Sequence, residues 1–138
     1  MEDAHTSKLT YGPEDAQCSF FSVYDGHGGA AVAKYCGREL HKKFVQRPEY
    51  LRGDIADALR LSLLALDEDM LTDPSVKDEL AGSTAIIVVL KDDVMYIANV
   101  GDSRAVACWN GRVDALSEDH KPCNEIESKR IFAAGGWF

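Results

Sequence analysis

The stretch FFSVYDGHGGAAVAKYC, residues 20–36, decides the fold because two periodicities meet inside it. Its first half, read with the residues before it as QCSFFSVYD, is an apolar, β-rich run. Such a run predicts a buried strand ending at Asp25. From about residue 29 to residue 46 the period changes. Val32, Tyr35, Cys36, Leu40 and Phe44 fall at helical spacing, with Lys34, Arg38, Lys42 and Lys43 on the other face. Gly37 inside this helix costs about 1 kcal/mol relative to Ala. Asp25, Gly26, His27, Gly28 and Gly29 therefore sit where a buried strand hands over to an amphipathic helix.

Working outward, Ala4 to Tyr11 alternates loosely and GPED follows as a turn, so the first two strands predict a hairpin. Pro48 ends the first helix. Asp54 is placed to cap a second helix whose stripe is Ile55, Leu59, Ser62, Leu63, Leu66 and Met70, with TDPS stopping it at Pro74. STAIIVVL, VMYIANV, RAVACW and RVDAL then predict four strands in an antiparallel meander, the last pair joined at Asn110 and Gly111. NEIESKRIFAAGG predicts a final helix with Gly135 as its C-terminal cap. Grouped strands and grouped helices indicate α+β rather than a βαβ array.

The 138 residues amount to one domain or part of a larger one. A formal charge of -8 argues against a binder of the nucleic-acid backbone, which needs a basic patch. No apolar run is long enough for a membrane span, and no signal peptide is visible. Cys18, Cys36, Cys108 and Cys123 are too widely spaced for a zinc knuckle or a redox dithiol. They read as small apolar residues in an intracellular, reducing compartment.

The chemistry-bearing residues cluster at the strand–helix junction. The Asp25 carboxylate and the Gly26 carbonyl are hard oxygen donors of the kind that suits Mg²⁺ or Mn²⁺. Gly28 and Gly29 let the chain turn tightly into a helix whose first N–H groups face an anion. His27 beside them is a candidate general acid. The same residues also read as a glycine-rich turn opening a helix, with a surface histidine. Glu2 and Asp3 lie on a β-like segment and point to opposite faces, so one of them shares the cavity of Asp25. The alternative for this pair is solvated surface. Asp102, in the NVGDSRAV turn, is expected to hydrogen-bond its own backbone. Asp119 and His120, in SEDHKP, lie just after a strand, where an exposed loop is the plain alternative.

MEDAH, FFSVYDGHGG, GSTAIIVVL, YIANVGDSRAV, SEDHKP and RIFAAGG occur in this order and run through nearly the whole chain. Together they resemble the metal-dependent serine/threonine protein phosphatases of the protein phosphatase 2C family. The likeness extends to the subset without a long acidic insertion before GSTA. It implies a four-layer α-β-β-α sandwich, of which residues 1–138 are roughly the N-terminal half of a single catalytic domain. It also implies hydrolysis of phosphoserine and phosphothreonine in protein substrates by metal-activated water, with two Mn²⁺ or Mg²⁺ ions and a third, weaker site.

Carried over residue by residue, the resemblance makes Asp25, through its side chain, and Gly26, through its carbonyl, metal ligands. Glu2 contributes largely through bound water and Asp3 supports it. Asp119 belongs to the third site, His27 is the general acid for the leaving alkoxide, and Asp102 takes no ligand role. Cys36 is not a nucleophile. The family also places a phosphate-binding Arg ahead of MED and further metal-binding Asp residues beyond AAGG, and neither lies within residues 1–138. Two expectations follow: low activity of this chain alone, with a complementing segment or dimer completing the site, or a truncated regulatory fragment that binds phosphoprotein without cleaving it.

Overall fold

A computed structural model describes residues 1–138, the side chain of Asp15 excepted. Strands β1 (Ala4–Tyr11) and β2 (Cys18–Tyr24) pair antiparallel as the expected hairpin, with a 3-10 turn at Glu14–Ala16 between them. Helix α1 (Ala31–Gln46) follows, then a single helical turn α2 (Pro48–Leu51) and helix α3 (Ile55–Met70). Strands β5 (Ala85–Lys91) and β6 (Val94–Val100) complete a four-stranded antiparallel sheet in the order β1-β2-β5-β6. Two short pairs lie outside it. Strand β3 (Gly26–His27) pairs with β4 (Gly82–Ser83), and β7 (Val106–Trp109) pairs with β8 (Arg112–Ala115). Helix α4 (Glu125–Ala133) comes last.

The last four strands therefore form two separate hairpins, β5–β6 and β7–β8, rather than one meander. Alternation tells which face a strand shows but not which strand lies beside it. Pro48 also does more than end a helix: it opens α2 at a position whose N–H is not needed. Helix α3 begins where Asp54 Oδ1 accepts from the Asp57 N–H at 3.2 Å. It ends at Met70, before Pro74. Beyond it Asp73 is taken up by local bonds, accepting from Ser75 N at 2.8 Å and Ser75 Oγ at 2.7 Å, and from the Tyr35 hydroxyl at 3.1 Å.

The core lies between the sheet and the helices. On β2, Cys18, Phe20, Ser22 and Tyr24 are buried, and on β5 Ile87 and Val89 pair across from Ser22 and Phe20. Helix α1 lays Tyr35, Cys36, Leu40 and Phe44 onto this surface. Phe44 sits 5.7 Å from Phe20 and meets Tyr50 edge-on at 4.9 Å between ring centroids.

The opposite sheet face is not covered among the described residues. Val23, Leu90 and Met95 are 49%, 40% and 49% exposed there. The chain is thus an α+β unit with one helical layer on an antiparallel sheet.

Gly37 lies where α1 crosses β1: the Thr6 hydroxyl donates to its carbonyl at 2.7 Å, and an added Cβ would meet Ala4 Cβ at 3.5 Å. That is ordinary van der Waals contact, so the glycine is not sterically required. Gly37→Ala should stabilise the protein by up to about 1 kcal/mol through helix propensity alone. Chemical denaturation would check it, and a loss of stability would show that α1 and β1 cannot adjust at all.

The cysteines divide into two classes. Cys18 and Cys36 are buried, whereas Cys108 and Cys123 are exposed, so the expectation that all four pack as apolar residues holds for two. Burial pushes the Cys36 thiol up to about 11. At pH 8 it stays protonated and unreactive. Native-state alkylation should therefore modify Cys108 and Cys123 rapidly and leave Cys36 intact until denaturant is added. Rapid loss of the Cys36 thiol in the native state would contradict this packing.

Candidate functional site

The junction between β2 and α1 forms a corner around Asp25. Pairing of β1 with β2 reaches Ala4 opposite Tyr24. Continued by two residues, that register sets Asp3 across from Asp25 and Glu2 across from Gly26. The packing at Gly26 agrees: an added Cβ would fall 2.5 Å from the Glu2 carbonyl oxygen and 3.1 Å from Ala33 Cβ. Gly26 is buried between the N-terminal segment and the first turn of α1, and only glycine fits there. Asp25, Glu2 and Asp3 are exposed, and among the described residues none of their carboxylates has a hydrogen-bond or ion-pair partner.

His27 is held by the β3–β4 pair. It lies opposite Gly82, and its ring packs where that residue lacks a side chain: a Cβ at Gly82 would be 2.5 Å from His27 Nε2. Gly28 and Gly29 have φ of 72° and 142°, which carries the chain round into α1. Ala30 caps the helix with no side-chain bond and no acid occupies the first turn. Among the described residues, the leading N–H groups of α1 thus have no competing side-chain acceptor.

The Asp25 backbone is fixed by Thr84. Asp25 N donates to Thr84 Oγ1 at 3.2 Å, and Thr84 N donates to the Asp25 carbonyl at 2.9 Å. The sequence pattern singles out neither Gly82 nor Thr84 as a site residue, since STAIIVVL reads simply as a strand. Gly82, a small residue immediately before an apolar strand, was the available signal.

Asp119 stands in a different setting. Arg104 grips its carboxylate with two prongs, Nε to Oδ1 at 2.7 Å and a terminal nitrogen to Oδ2 at 2.8 Å. Lys121 Nζ lies 3.4 Å from Oδ2. The Arg104 bond holds the carboxyl below its ordinary range. His120 is exposed and donates its backbone N–H to Gly101 O at 2.9 Å. Asp102 makes no bond to its own turn among the described residues; its charged neighbour is Lys121 at 4.0 Å.

The corner thus sets Asp3 across from Asp25 and Glu2 across from Gly26, with His27 next in the chain, while Asp119 is braced to Arg104. By type, carboxylates and a backbone carbonyl fit a hard divalent cation. By number they are a partial set, because no three His, Cys, Asp or Glu side chains among the described residues are placed to hold an ion together. No helix is long and apolar enough to cross a membrane.

The chain is similar to known protein phosphatases. A probable protein phosphatase 2C of Caenorhabditis elegans is 48% identical over 99% of the chain, which spans 38% of that relative. Rat protein phosphatase 1B is 38% identical over 99% of the chain, again 38% of the relative. The chain therefore spans less than two-fifths of the length of these curated relatives. Among solved structures, a sex-determining protein of C. elegans superimposes with a TM-score of 0.79 at 29% identity over 99% of the chain and 35% of its own. A phosphatase from Toxoplasma gondii, at 23% identity and a TM-score of 0.70, shares the fold. The family model for protein phosphatase 2C matches residues 1–138, and the chain belongs to that family.

Proposed function

We propose that this chain is the N-terminal part of the catalytic domain of a metal-dependent serine/threonine protein phosphatase, and that the Asp25 corner is one side of its cation site. The observation that carries this reading is the contrast within that corner: the Asp25 peptide is bound on both sides by Thr84, yet its carboxylate is exposed and unpartnered among the described residues. A carboxylate so held is pre-aimed without being neutralised.

In this reading the Asp25 carboxylate and the Gly26 carbonyl hold Mn²⁺ or Mg²⁺, and Glu2 acts through water. When bound, such cations activate water and neutralise phosphoryl charge. His27, braced over Gly82, holds a proton for the leaving serine or threonine alkoxide. The uncapped first turn of α1 favours an anion nearby. Asp119 is a weaker-site ligand that must first give up Arg104.

The partial donor set and the uncovered sheet face support a chain whose activity by itself is low, completed by a further segment or a second copy. Residues that bind phosphoprotein without cleaving it are the outcome if nothing completes the site. Four free thiols suit an intracellular setting, cytosolic or nuclear.

The test is phosphate release from a phosphothreonine peptide by the whole protein, with Mn²⁺ or Mg²⁺ and with chelator. Release that requires the cation is expected. Chelator-resistant release would overturn the reading, and no release under any condition would favour the non-cleaving alternative.

A further inference from the structure

The Asp25 corner is tied through the Thr84 side chain to a second loop. Thr84 Oγ1, which accepts from the Asp25 N–H, lies 2.6 Å from Ser103 Oγ. Whichever hydroxyl donates, the pair links the Asp25 peptide to the GDSR turn. That turn is pressed against Thr84: Gly101 has a φ of 92°, and a Cβ there would fall 2.9 Å from Thr84 Cγ2.

Ser103 is followed by Arg104, whose guanidinium grips Asp119. Further bonds lock the two loops together. Ala105 N donates to Ser117 Oγ at 2.9 Å, and the Asn99 side chain donates to Glu118 O at 2.8 Å. The Asn124 side chain donates to Asp119 O at 2.6 Å. A continuous set of contacts therefore runs from Asp119 through Arg104, Ser103 and Thr84 to Asp25.

We propose that Thr84 is a positioning residue, whose hydroxyl, supported by Ser103, fixes the backbone at Asp25 and so the aim of its carboxylate. The inference rests on the reading of Asp25 as a cation ligand. Thr84 itself donates nothing to the cation and acts only through Asp25. Without the hydroxyl the Asp25 N–H loses its only side-chain acceptor among the described residues, and the strand end can swing. Small divalent cations tolerate little error in ligand placement. Loss of an outer partner of this kind typically costs about 10–100-fold in metal affinity.

The experiment compares Thr84→Val, which keeps the shape and deletes the hydroxyl, with Thr84→Ser, which keeps the hydroxyl and deletes the methyl. In the whole protein, Mn²⁺ affinity is measured by electron paramagnetic resonance and exchange of the Asp25 amide by NMR. Thr84→Val should weaken Mn²⁺ binding about 10–100-fold and speed exchange at Asp25, while Thr84→Ser stays near wild type in both. Ser103→Ala should fall between them. Equal damage in Thr84→Ser and Thr84→Val would overturn the proposal in favour of methyl packing against Gly101. Unchanged exchange in Thr84→Val would overturn it outright. If the wild-type protein binds no Mn²⁺, the cation reading fails separately, and the Asp25 exchange rates alone decide whether Thr84 positions the residue.

Discussion

Asp25→Ala should lower cation-dependent phosphopeptide turnover about 10³-fold or more while leaving the unfolding midpoint almost unchanged. The two halves of this expectation come from the same geometry. The carboxylate is exposed and makes no hydrogen bond or ion pair among the described residues, so its removal deletes no folded-state interaction. Surface changes of this sort usually stay within about 0.5 kcal/mol. In the proposed role of cation ligand, the same group would underlie several kcal/mol of charge stabilisation at the phosphoryl group, and about 1.4 kcal/mol corresponds to each tenfold in rate. Thr84 keeps the backbone in place in the variant, because both of its bonds go to main-chain atoms of residue 25. Parallel kinetics and thermal melts check the pair of outcomes. Loss of activity together with collapse of the fold would assign Asp25 a structural role instead.

Phe44→Ala should be the most destabilising single truncation among those considered, by about 3–5 kcal/mol. Its ring is fully buried and sits between Phe20 of the sheet and Tyr50 of α2. Phe44 is therefore the point at which α1 is fastened both to the sheet and to the turn after it. Removing it leaves a cavity bounded by two aromatic rings that cannot both move in, because Phe20 is anchored in a strand and the Tyr50 hydroxyl donates to the Ala16 carbonyl. A loss of this size is a large share of a typical domain's stability of about 5–15 kcal/mol. Phe44→Leu should cost appreciably less, since it refills part of the volume. Urea denaturation of both variants measures the difference, and a Phe44→Ala cost below about 1 kcal/mol would contradict the packing described.

Features fixed by a few neighbouring residues were legible in the sequence. Asn110 and Gly111 both have positive φ, at 49° and 75°, as a tight two-residue hairpin turn demands. Asp54 caps α3 through its side chain. Gly135 ends α4 with a φ of 77°. Its N–H bonds back to Phe132 O at 3.0 Å and that of Gly136 to Ile131 O at 2.9 Å.

What depended on distant partners was not legible. The separation of β6 from β7 is a matter of strand pairing, which a strand's own pattern does not encode. The α2 turn spans only Pro48–Leu51 and buries a single residue, Tyr50, too little for a periodicity to register. Thr84 reads as one more β-branched residue in an apolar run, and its partner Asp25 lies 59 positions away. At the site, chemical type pointed to Asp25, Gly26 and His27. The N-terminal acids needed the hairpin register, which sets Asp3 rather than Glu2 across from Asp25. Asp119 shows the converse. The family resemblance implies a cation ligand there, and only its geometry reveals the arginine already bound to it.

The central claim is that the Asp25 corner holds a divalent cation. The most direct measurement is a Mn²⁺ titration of the whole protein, followed by electron paramagnetic resonance, beside the Asp25→Ala variant. Saturable Mn²⁺ binding in the wild type, lost or severely weakened in the variant, is the expected result. Equal Mn²⁺ binding by the two proteins would contradict it.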